Sequence, residues 1–279
     1  MKENPFSLYD ILGYLIPGIF VFSTFFMIQT WKADSSYLSV QYLIDSLPAL
    51  KFEGSVIIVV IAYALGHILS YFSSITVEKY AVWKYDYPSK YLLKIPKVKF
   101  KHHFRTVYGF VWGFIICFIA LPTVIIDFVL GYWFGFKKFY CKSLNDEIIR
   151  LIQYKVTKLR LCLGLNEIDM EDEENHYLVE DHFKIVAHYT FENSKKFQSK
   201  FNNYVVMYGF LRTMSLIMNV MTWYFFIHFC IIREFDIKSI LIVLTSSIIS
   251  YLFFMGFMKF FRRNSVRIYM VLAVDKELK

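Results

Sequence analysis

The stretch VYGFVWGFIICFIALPTVIIDFVLGYWFGF, Val107–Phe136, decides how the chain is read. It is 30 residues long, carries one charge, Asp127, and holds a proline at its middle, Leu121-Pro122-Thr123. As a single helix it spans ~45 Å, against a hydrocarbon core of roughly 30 Å. As a hairpin it makes two arms of about 14 residues, each too short for a full crossing. The choice sets the side of the membrane on which the polar segment Lys137–Asn203 lies. Gly109-Phe-Val-Trp-Gly113 and Gly131-Tyr-Trp-Phe-Gly135 stand almost symmetrically about Pro122. Small residues at that spacing let helix backbones approach closely, so Gly109, Gly113, Gly131 and Gly135 are candidate packing positions. Backbone that turns at membrane depth survives only inside protein or beside water, so a hairpin calls for a bundle or an oligomer around it.

The rest of the composition agrees with a membrane setting. Of 279 residues, 57% are hydrophobic and 20% aromatic, and the mean hydropathy is +0.43. An ordinary soluble domain has no use for so much apolar surface. The expected fold is an all-α membrane protein with four transmembrane helices, plus a re-entrant helical hairpin or a fifth span, and a helical cytoplasmic domain. The spans are 8–31, 55–77, 204–232 and 239–261. The start, Met1-Lys2-Glu3-Asn4, lacks the basic region of a signal peptide, so the first apolar segment is read as a retained span.

Loop charges orient these spans. Residues 32–54 hold two lysines against three acids, whereas 78–105 hold eight Lys/Arg against two. Short basic loops beside spans stay cytoplasmic, and acids contribute little. The tail from Arg262-Arg263 is basic too. Both termini and Lys137–Asn203 are then expected inside, and Val107–Phe136 must begin and end on the same side, which favours the hairpin. This basic-loop pattern also accounts for the net charge of +8 without invoking nucleic acid.

The domains follow: a membrane region over 1–136, a cytoplasmic helical domain over 137–203, and a helical pair with a basic tail over 204–279. Within the second, apolar residues at 148, 149, 152, 156, 159 and 163 predict a helix over Asn145–Leu163. Glu167–Asn175 reads as an acidic hinge. Tyr177–Lys200 resumes the helical pattern, with no Gly or Pro before Gly209 to part it from the next span.

Three charges lie in or at the edge of apolar runs: Asp10, Asp127 and Arg212. A charge at such depth costs on the order of 3 kcal/mol, so each calls for a partner or a gating task. Asp10 enters from the same face as Arg212 and is its expected partner. His67 and His228 read as packing residues. Lys97, Lys99, Lys101 and Arg105, with His102-His103, form a candidate contact for anionic lipid, favoured over a polyanion or nucleic acid. Cys117, Cys141, Cys162 and Cys230 show no metal spacing, and Asp181, His182 and His188 share no face with a fourth ligand. No phosphate loop, nucleophile elbow or zinc-protease motif occurs. No cofactor and no enzymatic activity are expected.

The opening Tyr9-Asp10-Ile-Leu-Gly13-Tyr14-Leu-Ile-Pro17-Gly18, together with Tyr208-Gly209-Phe210-Leu211-Arg212 and Phe260-Phe261-Arg262-Arg263, resembles bacterial multi-pass membrane proteins. Some of these accompany anti-phage defence systems as membrane effectors, the Hailong-type effector among them. The resemblance implies a bacterial inner-membrane location and names no site residue. The function expected is an oligomeric pore or ion channel gated through the cytoplasmic domain. The alternative is a scaffold that recruits a cytoplasmic partner; a small transporter is disfavoured by the absence of an internal repeat.

Overall fold

The computed structural model describes residues 10–33, 52–96, 106–165, 176–232 and 236–276. Among these, every regular element is helical, as expected. A π-helical turn over Ile11–Leu15 leads into α1, Ile16–Ala33. Helix α2, Phe52–Ser73, continues through a π turn, Ser74–Glu78, into α3, Lys79–Tyr85. Asp86, at φ 68°, ends that run, and Pro88 starts α4, Pro88–Tyr91. The broken element follows as α5, Val107–Ile119, and α6, Leu121–Ile126, which runs on into a π-helical stretch, Asp127–Trp133. Then come α7, Asp146–Cys162, and α8, His176–Asn193. Two long helices close the chain, α9 over Lys195–Ile232 and α10 over Ile237–Ala273.

Among the described residues, three helical stretches are long and apolar enough to cross a membrane, Val56–Tyr91, Lys200–Ile232 and Ile237–Ala273, or four if α5 with α6 counts as one span. The N-terminal apolar helix falls in a shorter class, Ile11–Phe25. Such helices are compatible with a multi-pass membrane protein. Several boundaries differ from the sequence reading. The second apolar helix does not stop at Val77 but runs on to Tyr85, with the short α4 directly after it. The last does not give way to a tail at Arg262 but stays helical to Ala273. Apolar burial explains both: Tyr80 and Trp83 sit in the bundle core, and Ile268 and Leu272 sit in the core of a second module. The segment from α8 to α9 is interrupted only at Ser194.

That second module is stitched from three parts of the chain. Its core joins Leu92 and Leu93 after α4 to Ile149, Ile152, Val156 and Leu159 of α7, Val186 of α8, and Ile268 and Leu272 of α10. The α7 stripe at positions 149, 152, 156 and 159 is the apolar periodicity read from the sequence, now buried. At 1.5 Å per residue, α9 and α10 are each about 55 Å long, so both reach from the apolar layer into this module.

In the apolar layer the outer surface is greasy: Val60, Tyr71, Phe110, Phe114 and Phe128 are all exposed. Inside it, the π turn and α1 cross α2 very closely. A Cβ on Gly18 would stand 1.7 Å from the carbonyl oxygen of Ala62, and one on Gly66 would stand 1.9 Å from that of Tyr14. Each partner atom is helix backbone, which cannot swing aside. Gly18→Ala and Gly66→Ala are therefore each expected to cost about 1–3 kcal/mol of packing. A lowered melting temperature of the detergent-purified chain, against wild type, is the check.

Candidate functional site

The bend between α5 and α6 is 78°. Its cause is Pro122, which has no N–H to offer the carbonyl of Phe118 four residues back. The indole Nε1 of Trp223 donates to that carbonyl at 3.0 Å, and the Trp223 ring stacks on Phe118 at 4.4 Å between centroids. One turn away on α9, Asn219 Oδ1 accepts from the Thr123 backbone N–H at 3.1 Å. That amide is an orphan of the new helix start. Two side chains of α9, four residues apart, thus serve two of the backbone groups freed by the break. Helix breaks in membranes persist through such replacements. The flanks of the broken element converge: Ile95 packs in the second module's core, and the Leu144 amide beside it donates to the Leu92 carbonyl at 3.1 Å.

Below the break the carboxylate of Asp127 is fully buried. Lys84 Nζ donates to its Oδ2 at 2.6 Å and to the Tyr80 hydroxyl at 3.0 Å. Tyr80 donates to Oδ2 at 3.0 Å, Tyr140 to Oδ1 at 2.9 Å, and the Tyr85 hydroxyl lies 2.7 Å from each oxygen. Tyr80, Lys84 and Tyr85 come from the continuation of α2 past Val77, where Tyr80 and Lys84 stand one turn apart. Gly131 makes the cage possible. A Cβ there would lie 2.4 Å from Asp127 Oδ1. Lys84, 28% exposed, is the cage's outer wall.

A second polar group lies one turn back along the same helix. Thr123 Oγ1 donates to Asn219 Oδ1 at 3.0 Å and lies 2.7 Å from Ser250 Oγ, which in turn donates to the Ser215 carbonyl at 2.9 Å. Beyond it, Thr222 donates to Ser246 at 3.0 Å. Thr123, Asn219, Ser215 and Ser250 are all fully buried.

The expected pairing of Asp10 with Arg212 is corrected. Arg212 pairs with Glu78 and donates to Ser73 Oγ at 3.0 Å and to the Ser70 carbonyl at 3.2 Å. Its side chain is 11% exposed. The physical reason is the extra helix past Val77, which carries Glu78 on the α2 face toward α9. Asp10 instead accepts from the Tyr63 hydroxyl at 3.3 Å. His67 stacks on Tyr14 at 3.7 Å and His228 on Tyr224 at 5.8 Å, both as aromatic packing.

The glycines divide. Gly131 gives room to a carboxylate. Gly109 donates to the cap Thr106 Oγ1 at 3.0 Å, and Gly113 is buried in α5. Gly135 is not a packing position: at φ 73°, with nothing near its missing Cβ, it serves the left-handed turn that ends the π stretch. Lys97, Lys99, Lys101, Arg105, His102 and His103 lie outside the described residues, as do the acidic hinge over 167–175 and the side chain of Asp181. Lys94, next to that cluster, is paired with Asp146 at 2.6 Å, and this ammonium holds the Asp146 carboxyl below the usual carboxylate range.

Among the described residues, no group of three or more His, Cys, Asp or Glu side chains gathers as for a metal ion. The chain matches no family model, no curated protein and no solved structure. Roles therefore rest on geometry. The Asp127 cage fastens a bent apolar element to α3 and to the segment carrying Tyr140. Removing one partner of a buried pair strands the other, at about 3–5 kcal/mol, whereas removing both is far milder. Lys84→Met should thus destabilise the chain more than Lys84→Met combined with Asp127→Asn. Thermal melts of the three proteins in detergent test this ordering, and equal losses would contradict it.

Proposed function

We propose that the protein is an oligomeric effector of the bacterial inner membrane, a pore or ion channel that breaches the permeability barrier. In this reading it is gated through its helical module and serves anti-phage defence, the setting to which the resemblance points. The observation that carries the reading is the apolar element 107–133, bent by 78° and fastened through its second half by buried polar bonds, the Lys84–Asp127 ion pair among them. An apolar arm held in place by a polar latch has a second position available when the latch opens.

Other features support it. The converging flanks at Ile95 and Leu144 fit a re-entrant element. The basic loops put the second module and both termini in the cytoplasm. Helices α9 and α10, continuous from the apolar layer into that module, give a cytoplasmic signal a stiff route to the latch. The outward face of α5, with Tyr108, Phe110 and Phe114 exposed, faces lipid or a second copy of the chain. The reading needs no cofactor and no catalysis.

A second reading has its own observation. Asp127 is fully buried and Arg212 11% exposed, so neither lines a wet passage in this conformation. For a channel this is the closed state. For a scaffold that recruits a cytoplasmic protein it is the only state required. The purified full chain in liposomes separates the two. Ion flux, with depolarisation of expressing cells and a higher leak from Lys84→Met, is the channel outcome. A monomer silent under every condition, purifying with a stable partner, overturns it for the scaffold.

A further inference from the structure

The bundle interior holds more polar side chains than its packing calls for, and they fall in a line. From the partly exposed Lys84, the Asp127 cage comes first, and Tyr140 there reaches the Tyr251 hydroxyl at 3.5 Å. Thr123 is one turn from Asp127 on α6, and Ser250, beside Tyr251 in sequence, lies 2.7 Å from it. Asn219 accepts from Thr123. Thr222 is three residues on along α9, and Ser246 is one turn from Ser250 along α10; these two bond at 3.0 Å. Past them opens a cavity of about 300 Å³ with an almost wholly apolar wall, lined by Pro122, Ile126, Phe229 and Val243 among others.

A row of small hydroxyls can be packing alone. One atom says otherwise. Asn219 is fully buried, and among the described residues its Nδ2 has no hydrogen-bond partner. The amide cannot be turned over to remove the problem. Its Oδ1 accepts from the Thr123 backbone N–H, a pure donor, so nitrogen cannot take that place. A buried N–H₂ without an acceptor costs about 1–3 kcal/mol, and buried polar groups of this kind bind ordered water. The amide's other side therefore calls for a water oxygen within this polar row.

We propose that the row Asp127, Thr123, Ser250, Asn219, Thr222 and Ser246 is a proton path through the apolar layer, with water held on Asn219 bridging its one-turn gaps. The inference rests on the membrane-breaching reading and names the conducted species. Neighbours one helical turn apart are about 5–6 Å apart at Cβ, a gap that one water spans. Transfer is balanced at each station: a hydroxyl or water accepts a proton from one side and releases another to the next, then reorients. No oxidant or co-reactant is needed, and one proton leaves for each that enters. Ser250 shows the required ambiguity. Its single hydroxyl proton has two acceptors in reach, Thr123 Oγ1 and the Ser215 carbonyl. Asn219 holds water in place and does not itself relay. A larger ion finds no such row, because hydroxyls in direct contact leave it no lumen.

The test uses the full chain in liposomes under a pH step, with a trapped pH-sensitive dye and separate potassium-flux and chloride-flux arms. Proton flux without comparable potassium or chloride flux is expected. Thr222→Val with Ser246→Ala should lower it by at least about tenfold, the scale of one lost proton-transfer group. Thr222→Ser should restore it in the Ser246 wild-type background. Thr24→Val is the control, since Thr24 bonds only within α1, to the Phe20 carbonyl. Size-exclusion and melting profiles select the folded variants, and Ser250→Ala replaces the double variant if that fails to fold. Potassium or chloride flux with no proton flux, or proton flux untouched by these substitutions, overturns the path and leaves the channel reading standing. No flux of any ion from folded wild type overturns both.

Discussion

A carboxylate out of reach of water must find its donors in the protein, and Asp127 does so from every side. Lys84 supplies charge, and Tyr80, Tyr85 and Tyr140 supply hydroxyls. Those groups come from chain segments that are otherwise far apart in sequence, so the demand of one side chain fixes where α3, the π stretch and the Tyr140 segment must stand. Gly131 is a further consequence: one turn along from Asp127, any side chain would occupy the space its oxygen uses. The tyrosines also make a second use of their bodies, since Tyr80 and Tyr140 lie in the same apolar core as Phe254 and Phe257. A ring can line the core while its hydroxyl faces the charge.

The break at Pro122 imposes the same rule on backbone. Within the hydrocarbon layer an orphaned amide or carbonyl has no solvent to fall back on. Trp223 and Asn219 answer for Phe118 and Thr123, and they can do so together because four residues on a helix make one turn. The geometry explains why α6 lies against α9 and α10 while α5 stays mostly outward. One arm carries the polar obligations and the other is nearly free of them. What holds the bent element in the bundle is therefore its second half.

Much of this was legible in the chain. Pro122 marked the break, Asp127 marked the buried charge, and the α7 stripe marked the face that would be covered. The partners were not legible, for physical reasons. A span read by hydropathy ends where charge begins, so Glu78, Tyr80 and Lys84 looked like loop residues beyond Val77. They are helical because Tyr80, Ala81 and Trp83 are buried in the bundle and Lys84, one turn from Tyr80, finds its partner in the buried Asp127. With Glu78 misplaced, Asp10 was the only acid left for Arg212. The small residues that matter most for close approach, Gly18 and Gly66, stand on two separate helices. A motif search along one helix looks for pairs and passes over such singles. Gly135 did belong to such a pair, yet its backbone is left-handed, a property that spacing does not encode. Asn219 gave a signal that went unread: a lone amide in an apolar helix, which in that medium always has a bonding task.

The two modules are joined in a way that bears on any movement of the latch. Asp86 and Pro88 part α3 from α4 only two residues beyond Tyr85, and Tyr269 donates to the Ser89 carbonyl at 3.0 Å from within the second module. The same short stretch therefore carries a cage residue at one end and a module contact at the other. On the opposite flank, Tyr140 sits in the cage, while the Tyr91 hydroxyl donates to the Tyr140 backbone carbonyl at 3.0 Å. Displacing α4 against α10 would pull on both ends of the cage at once. Helix α5 shares none of these bonds and meets such a change through the bend and through Ile116, buried in the same core as Val77 and Tyr80. The polar ties thus run between the module and the carboxylate, while α5 is held mainly by apolar packing.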